Sequence, residues 1–208
     1  MKKIHIKCPI CSFEFDKEYV NPIFEDSKLK SKIMDLTIFN HTCPNCNKEF
    51  IGSYPFIYLD KKNKFMILVD RNLKLEKNKK DFNKSLQIYS KTALKGYTIR
   101  MTESLNGLKE KIQIFESGYL DKAIEITKVL LLKSKDFQIY NDNNLKNVSF
   151  TKIDNKDKLV FTRIEGKFAL DFPKELYNEI LEKYNGYFKE EKAQEINLEW
   201  ANNFIEKI

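Results

Sequence analysis

Apolar side chains recur at every second position over much of the first third of the chain, which is the pattern of β-strands. The segments "SFEFDKEYV", "KEFIGSYPFIYLD" and "KFMILVD" alternate in this way, and a polar turn at residues 60–63 separates the last two. They predict a strand followed later by a β-hairpin. Between them, Leu29, Ile33 and Leu36 keep helical spacing, so a short helix is predicted before the chain returns as a strand.

The rest of the chain alternates between helical and strand periods. Two apolar stripes predict a helical pair, with Ser104 or Thr102 capping the first helix and Gly118 ending it. The runs "FQIY", "NVSFTKI", "KLVFTRI" and "KFALDF" predict a β-meander between residues 137 and 172. Pro173 then opens a further helix, and a last helix is predicted to bury Ala201, Phe204, Ile205 and Ile208 together.

All four cysteines lie in two copies of one phrase, "KCPICSFEF" and "TCPNCNKEF". In each copy a proline follows the first cysteine and presets the φ angle of a tight turn, which points both sulfurs to the same side. Two such turns supply the four thiolates of a closed tetrahedral site. The sequence therefore predicts one structural zinc ion per chain, held by Cys8, Cys11, Cys43 and Cys46.

Several alternatives to this ligand assignment stay open. The same four thiolates suit iron, and a Cys-x-x-Cys pair also occurs in redox proteins, although there a helix follows the pair and here strands are predicted after both. His5 and His41 precede the cysteine turns by three and two residues and are further candidate ligands. The 31 residues between Cys11 and Cys43 exceed the roughly 15 to 20 of a compact zinc ribbon, which indicates an insertion.

The residues after the second cysteine of each turn depart from the usual pattern of zinc turns. Glycine often stands there, because the backbone adopts a left-handed conformation. This chain has Ser12 and Asn47 instead. Asn tolerates that conformation better than Ser, so we expect slight strain in the first turn.

The doubled Cys-Pro-x-Cys, the hairpin "PFIYLDKKNKFMILV" and the helix "IRMTESLNGLKEKIQIFESG" together resemble the CpXC family of bacterial and archaeal proteins, over roughly residues 4–133. The two cysteine turns match the motif for which that family is named. The resemblance implies a metal-binding module without an established activity.

Because strands come in adjacent runs, the sequence predicts an α+β fold of mostly antiparallel sheet. We expect a zinc-ribbon-like β module at residues 1–70 and a C-terminal β-meander with helices at 134–208. Residues 71–133 between them would hold a basic segment, a strand and the helical pair.

Charge points to a second possible function. The net charge is +7, and residues 71–95 carry Arg71 and seven lysines against Glu76 and Asp81, a local charge of +6. Residues 171–208 carry nine acidic residues against five lysines. The basic segment makes nucleic-acid binding an alternative. A composition rich in Lys, Asn and Ile, typical of AT-rich genomes, explains the same charge without any such role.

Neither an established catalytic motif nor a membrane segment is recognised in the sequence. It has no phosphate-binding glycine loop, no nucleophile elbow and no His-Glu-x-x-His, and its N-terminal lysines are not followed by an apolar signal region. We therefore expect a cytoplasmic, non-catalytic zinc protein that binds a protein partner or self-associates. Nucleic-acid binding ranks second, and an unrecognised enzyme third.

Overall fold

The computed structural model describes residues 2–73, 80, 94–134, 144–188 and 193–208 of the chain. The chain divides into two compact units, residues 1–109 and 110–208, and the boundary falls within a helix. Helices and small, mainly antiparallel sheets occur in both units. The predicted α+β class is confirmed.

Two short hairpins carry the cysteine turns in the first unit. Strands β1 (Lys2–Lys7) and β2 (Glu14–Tyr19) form an antiparallel pair, as do β4 (Asn40–Thr42) and β5 (Glu49–Ile51). The turn of each pair contains one copy of the cysteine phrase. These four strands and their two turns are called the cysteine ribbons below.

The predicted insertion joins the two cysteine ribbons. It contains the two-residue strand β3 (Ile23–Phe24) and the helix α1 (Leu29–Met34). The backbone N–H of Asp35 donates to the Ser31 carbonyl at 2.8 Å, and Leu36 then takes a left-handed φ of 61°. This conformation stops the helix, which ends at Met34, two residues before Leu36, the last residue of the predicted apolar stripe.

The first unit also contains a four-stranded sheet, in the order β3-β6-β7-β8. Strands β6 (Phe56–Asp60) and β7 (Phe65–Val69) are the predicted hairpin, and the Asp60 carboxylate accepts the Asn63 backbone N–H at 2.7 Å within its turn. Strand β3 pairs with β6 in parallel, and β7 pairs in parallel with β8 (Thr98–Thr102). The buried side chains of β6 and β7 include Phe56, Tyr58, Phe65, Ile67 and Val69.

The predicted helical pair follows as α2 (Leu105–Glu116) and α3 (Asp121–Lys133). The Ser104 hydroxyl accepts the backbone N–H of Gly107 at 3.1 Å and caps α2. Gly118 has a φ of 75° in the turn between the helices, a conformation that glycine adopts without strain. The sequence thus predicted the residues that mark both ends of α2.

The second unit is built around the predicted meander. Strands β9 (Leu145–Ile153), β10 (Lys156–Arg163) and β11 (Lys167–Asp171) lie in the order β11-β10-β9, all antiparallel. Two α-helices follow, α4 (Lys174–Tyr184) and α5 (Leu198–Ile205). Side chains from α2, α3, the meander and both later helices form one core, whose buried members are Ile114, Ala123, Ile124, Ile126, Val129, Val148, Phe150, Leu159, Phe161, Phe172, Tyr177, Ile180 and Ala201.

Two details of the predicted elements were wrong. The alternating run at 48–60 is split into β5 and β6, since Pro55 supplies no N–H for a strand ladder. The last helix ends at Ile205, and Ile208 beyond it is 56% exposed.

Other predictions are not tested by the structure. The predicted strand at 137–140 and most of the basic segment lie outside the described residues, and the three-part division of the chain stays a prediction. Within the described ranges, no helix has the length and apolarity needed to cross a membrane.

Candidate metal centre

The first cysteine turn is fixed by two backbone hydrogen bonds. The N–H of Cys8 donates to the Phe13 carbonyl at 2.9 Å, and the N–H of Ser12 donates to the Cys8 carbonyl at 3.0 Å. Ser12 has a φ of 61°, in the left-handed region. This turn brings Cys11 back beside Cys8 at the end of the β1–β2 hairpin.

The second turn repeats the first residue by residue. The N–H of Cys43 donates to the Lys48 carbonyl at 3.0 Å, the N–H of Asn47 donates to the Cys43 carbonyl at 2.9 Å, and Asn47 has a φ of 56°. The repeated phrase in the sequence is therefore a repeated structure. The expected left-handed conformation is confirmed at both Ser12 and Asn47, at a cost of roughly 1–2 kcal/mol for a side chain that does not favour it.

The two turns bring all four sulfurs together. The Sγ atoms of Cys8, Cys11, Cys43 and Cys46 lie within 4.8 Å of one another, with 3.9 Å between Cys8 and Cys46 and 3.6 Å between Cys11 and Cys43. A tetrahedron of sulfurs about 2.3 Å from a central ion has edges of about 3.8 Å. The spacing of these sulfurs fits such an ion.

The cluster is half enclosed by protein. Cys8 and Cys43 are fully buried, whereas Cys11 and Cys46 are partly exposed. The backbone N–H of Ile10 points at the Cys8 sulfur at 3.4 Å, and the Asn45 side-chain amide donates to the Cys11 sulfur of the other turn at 3.7 Å. Donors aimed at the sulfurs stabilise negative charge there, as the hydrogen-bonding groups that surround metal-bound thiolates do.

These contacts give the cysteines different proton affinities. The backbone N–H of Phe13 is the main influence that lowers the pKa of Cys11 to about 6. At Cys46 the backbone N–H of Lys48 favours the thiolate, but burial and hydrogen bonds with the other three cysteines raise its pKa to about 11. The metal-free cluster thus retains protons at neutral pH, and a cation that binds four thiolates displaces them.

His41 stands two residues before Cys43 but does not belong to the sulfur cluster. Its Nδ1 accepts from the Lys17 ammonium at 2.7 Å, and its Nε2–H donates to the Gly52 carbonyl at 2.8 Å. Burial is the main effect that lowers the pKa of His41, and the Lys17 charge lowers it further. Both ring nitrogens are occupied, so His41, a residue of β4, connects β2 to the residue that follows β5 as a neutral side chain.

His5 is also placed away from the sulfurs. It lies on the exposed face of β1, where its ring contacts Asp16 at 3.0 Å and Glu14 at 3.3 Å. The structure therefore brings the four predicted cysteines together and leaves both histidines outside the group. The supporting contacts from Asn45, Lys17 and Gly52 had no signal in the sequence, since they join residues distant along the chain.

Comparison with known proteins agrees with the motif. A family model described as CpXC protein matches residues 6–128, more than half of the 208-residue chain and including both cysteine turns. Searches of curated proteins and of solved structures found no match.

Proposed function

The chain belongs to the CpXC family, and we propose that it is a non-catalytic zinc-binding module that binds a protein partner or a second copy of itself. Cys8, Cys11, Cys43 and Cys46 would hold the ion. The observation that carries this proposal is the convergence of four sulfurs from two separate hairpins within 4.8 Å.

A structural role for the ion follows from the ligand count. Four thiolates complete the tetrahedral shell that zinc prefers and leave no position for a substrate or a water. Two-stranded hairpins as short as the cysteine ribbons are marginally stable alone, so an ion that joins them supplies much of their stability. Iron suits the same ligands, and the first experiment separates the two metals.

The zinc assignment is tested by elemental analysis of protein purified under reducing conditions. We expect one zinc per chain, no iron absorption in the visible spectrum, and loss of the metal in Cys11→Ser. Ser12→Gly is the matched control, because it changes the neighbouring residue, suits the left-handed backbone and keeps all four sulfurs. Stoichiometric iron, or no bound metal at all, would contradict the assignment.

Exposed apolar side chains beside the metal turn support partner binding. Ile10 and Phe13 of the first turn are 58% and 42% exposed, whereas the second turn carries Asn45 and Lys48 at the matching positions. Contiguous exposed apolar side chains mark contact surfaces, and Ile10 and Phe13 stand three residues apart on this turn. The first turn is therefore the surface that we propose for association.

The association is tested by light scattering and by recovery of co-purifying proteins from the protein's own cells. We expect self-association or a retained partner in the wild type, and its loss in Ile10→Ser. Ile164→Ser is the control, since Ile164 is also exposed, at 61%, but lies in the second unit. A monomer that retains no partner, or equal effects of the two substitutions, would contradict the proposed surface.

Nucleic-acid binding is the second candidate, favoured by the local charge of +6 at residues 71–95. Phe82 and Tyr89 are the aromatics of this segment, few for stacking bases, so we expect weak, sequence-independent binding at most. Titration of short DNA and RNA at two salt concentrations tests this. Submicromolar affinity with a steep salt slope that collapses in the Lys79→Ala, Lys80→Ala, Lys84→Ala triple variant would place nucleic-acid binding first.

A further inference from the structure

Two close contacts between sulfurs join the two turns. Cys11 lies 3.6 Å from Cys43, and Cys8 lies 3.9 Å from Cys46. Each of these pairs combines one partly exposed sulfur, Cys11 or Cys46, with one fully buried sulfur of the opposite turn. A reagent from solvent therefore reaches Cys11 or Cys46 before the buried cysteine of the same pair. The buried sulfur lies 3.6 Å from Cys11 in one pair and 3.9 Å from Cys46 in the other.

We propose that this cluster is a redox-responsive clasp in which oxidation replaces the metal by two disulfides, Cys11–Cys43 and Cys8–Cys46. The oxidant is a hydroperoxide, such as hydrogen peroxide. The release of metal in this proposal rests on the zinc site proposed above, whereas the pairing of the cysteines rests on the sulfur geometry alone.

The chemistry uses one peroxide for each disulfide. The thiolate of Cys11 attacks one peroxide oxygen, the O–O bond breaks, and a sulfenic acid and one water form after protonation. The Cys43 thiolate then attacks the Cys11 sulfur, the S–S bond forms, and hydroxide leaves and is protonated to a second water. Two electrons pass from the sulfur pair to the peroxide. Cys46 and Cys8 react in the same way with a second peroxide.

The pairing decides what happens to the fold. A disulfide within one Cys-x-x-Cys turn closes a small ring and leaves the two cysteine ribbons unconnected. A disulfide between the turns joins the same two chain segments that the metal joins, and so restricts the same unfolded conformations. Since a disulfide bond is about 2.05 Å long, each sulfur pair must approach by less than about 2 Å. Oxidation would therefore release the metal while the two cysteine ribbons stay cross-linked.

The lysines of the chain make the pairing directly measurable. Trypsin cleaves after Lys7, Lys17, Lys32 and Lys48, which puts both cysteines of each turn in one peptide, 8–17 or 33–48. Disulfides between the turns link the two peptides, and disulfides within a turn leave them separate. Fragmentation of the linked peptides identifies the individual pairs.

The experiment treats the metal-loaded protein with increasing hydrogen peroxide and follows metal release with a chromogenic chelator, disulfides by mass spectrometry and protection of the ribbons by limited proteolysis. We expect one metal released per two disulfides, linked peptides, and protection that persists until a reductant is added. Disulfides within the turns, disulfides between chains, or loss of protection on oxidation would overturn the clasp. Retention of metal at full cysteine oxidation would also do so.

A pair of variants tests the order of the steps. In Cys43→Ser, Cys11 loses the sulfur that lies 3.6 Å from it, while the sulfurs of Cys8 and Cys46 remain within 4.8 Å. We expect a dimedone reagent to trap more sulfenic acid at Cys11 than in the wild type. In the matched variant Cys8→Ser, the Cys11–Cys43 disulfide still forms. Should either variant fail to fold, the wild-type peptide map decides the pairing. Should the purified protein carry no metal, the zinc proposal fails, and the same map still confirms or overturns the pairing.

Discussion

The cysteine ribbons and the second unit differ in what holds them together. The ribbons bury few side chains, and their charged groups lie in water: the His5 and Asp16 pair is 63% and 59% exposed. The second unit has a continuous apolar core and places charged groups inside it. We therefore expect the stability of the ribbons to depend on the sulfur cluster and the ion proposed there, and that of the second unit to depend on many contacts in its core.

The buried charges of the second unit lie between α2 and α3. Lys111 pairs with Asp121 at 3.1 Å and with Glu125 at 3.4 Å, and Lys128 pairs with Glu125 at 3.0 Å and with Glu110. These side chains are at most 5% exposed, apart from Glu110 at 14%. Burial of so many charges is tolerated only where each has partners, which a core of this size supplies.

The largest expected effect comes from metal removal, and it tests whether the two regions are independent. A strong chelator with a reductant should unfold the cysteine ribbons, since structural zinc in such sites contributes on the order of 10 kcal/mol. Trp200, the single tryptophan of the chain, stacks on Phe204 within α5 and reports on the second unit alone. We expect loss of protease protection at the ribbons with unchanged Trp200 emission. A simultaneous shift of the Trp200 emission would show that the second unit unfolds with the ribbons, and the two regions would not be independent.

A core substitution should have the opposite effect. Phe161 is fully buried on the central strand β10 and stacks on Phe168 with ring centroids 4.9 Å apart. Phe161→Ala should lower the free energy of unfolding of the second unit by about 3–5 kcal/mol in urea titrations followed by Trp200. Val160→Ala, on the other face of the same strand, should cost well under half of this. Metal content should stay the same in both, and a loss of metal in Phe161→Ala would show that the regions are coupled.

Lys128→Met tests the buried charges. The substitution leaves Glu110 and Glu125 without their shared cation, and we expect a loss of about 3 kcal/mol. Lys133→Met, at an exposed position of the same helix, should change the stability little.

Burial, the largest effect, raises the pKa of Glu125, and loss of Lys128 raises it further. When the pKa of a carboxyl is higher in the folded protein than in the unfolded one, the folded protein becomes less stable as pH rises through the folded pKa. The stability lost in Lys128→Met should therefore be larger at pH 8 than at pH 5. An equal loss at both pH values would contradict this.

A smaller effect is expected where the ribbons are held by packing instead of metal. A Cβ atom on Gly52 would lie 2.8 Å from Cδ2 of His41, so the ring would have to shift, and a shift disturbs its hydrogen bonds with Lys17 and Gly52. Gly52→Ala should therefore destabilise the metal-loaded ribbons by about 1–3 kcal/mol. Gly186→Ala is the control, because nothing lies within 4 Å of its added Cβ. Equal protease protection in the two variants would show that the ring moves freely.

The sulfur cluster was predictable because it depends on the local spacing of the cysteines in the sequence. Two cysteines in a turn restrict each other's direction, so the sequence identified all four sulfurs and the left-handed Ser12 and Asn47. The hairpin at β6 and β7 and the meander were predictable for the same reason, since neighbouring strands pair through short turns.

Contacts between distant residues were not predictable. Strand β3 has two residues and pairs in parallel with β6, which begins more than thirty residues later, so no periodicity marks it. From its charge alone, Lys128 would be expected in solvent. Its burial depends on Glu110, which stands 18 positions earlier and contacts it. Charge alone predicts exposure, and burial follows only from partners that the fold brings together.

The smallest expected effect concerns the exposed charges of the ribbons. Hydrogen bonds with Asp16 and then Glu14 raise the pKa of His5 above its usual 6.5. A histidine whose folded pKa is raised stabilises the fold fully below its unfolded pKa and loses this contribution as pH rises through the folded value. An NMR titration should show the raised pKa in the wild type and its return toward 6.5 in Asp16→Asn, while Glu18→Gln, on the same strand, changes it less. Because the pair lies in water, thermal stability should hardly change between these variants. A large stability change in Asp16→Asn would show that the ribbons depend on their surface charges as well as on the sulfur cluster.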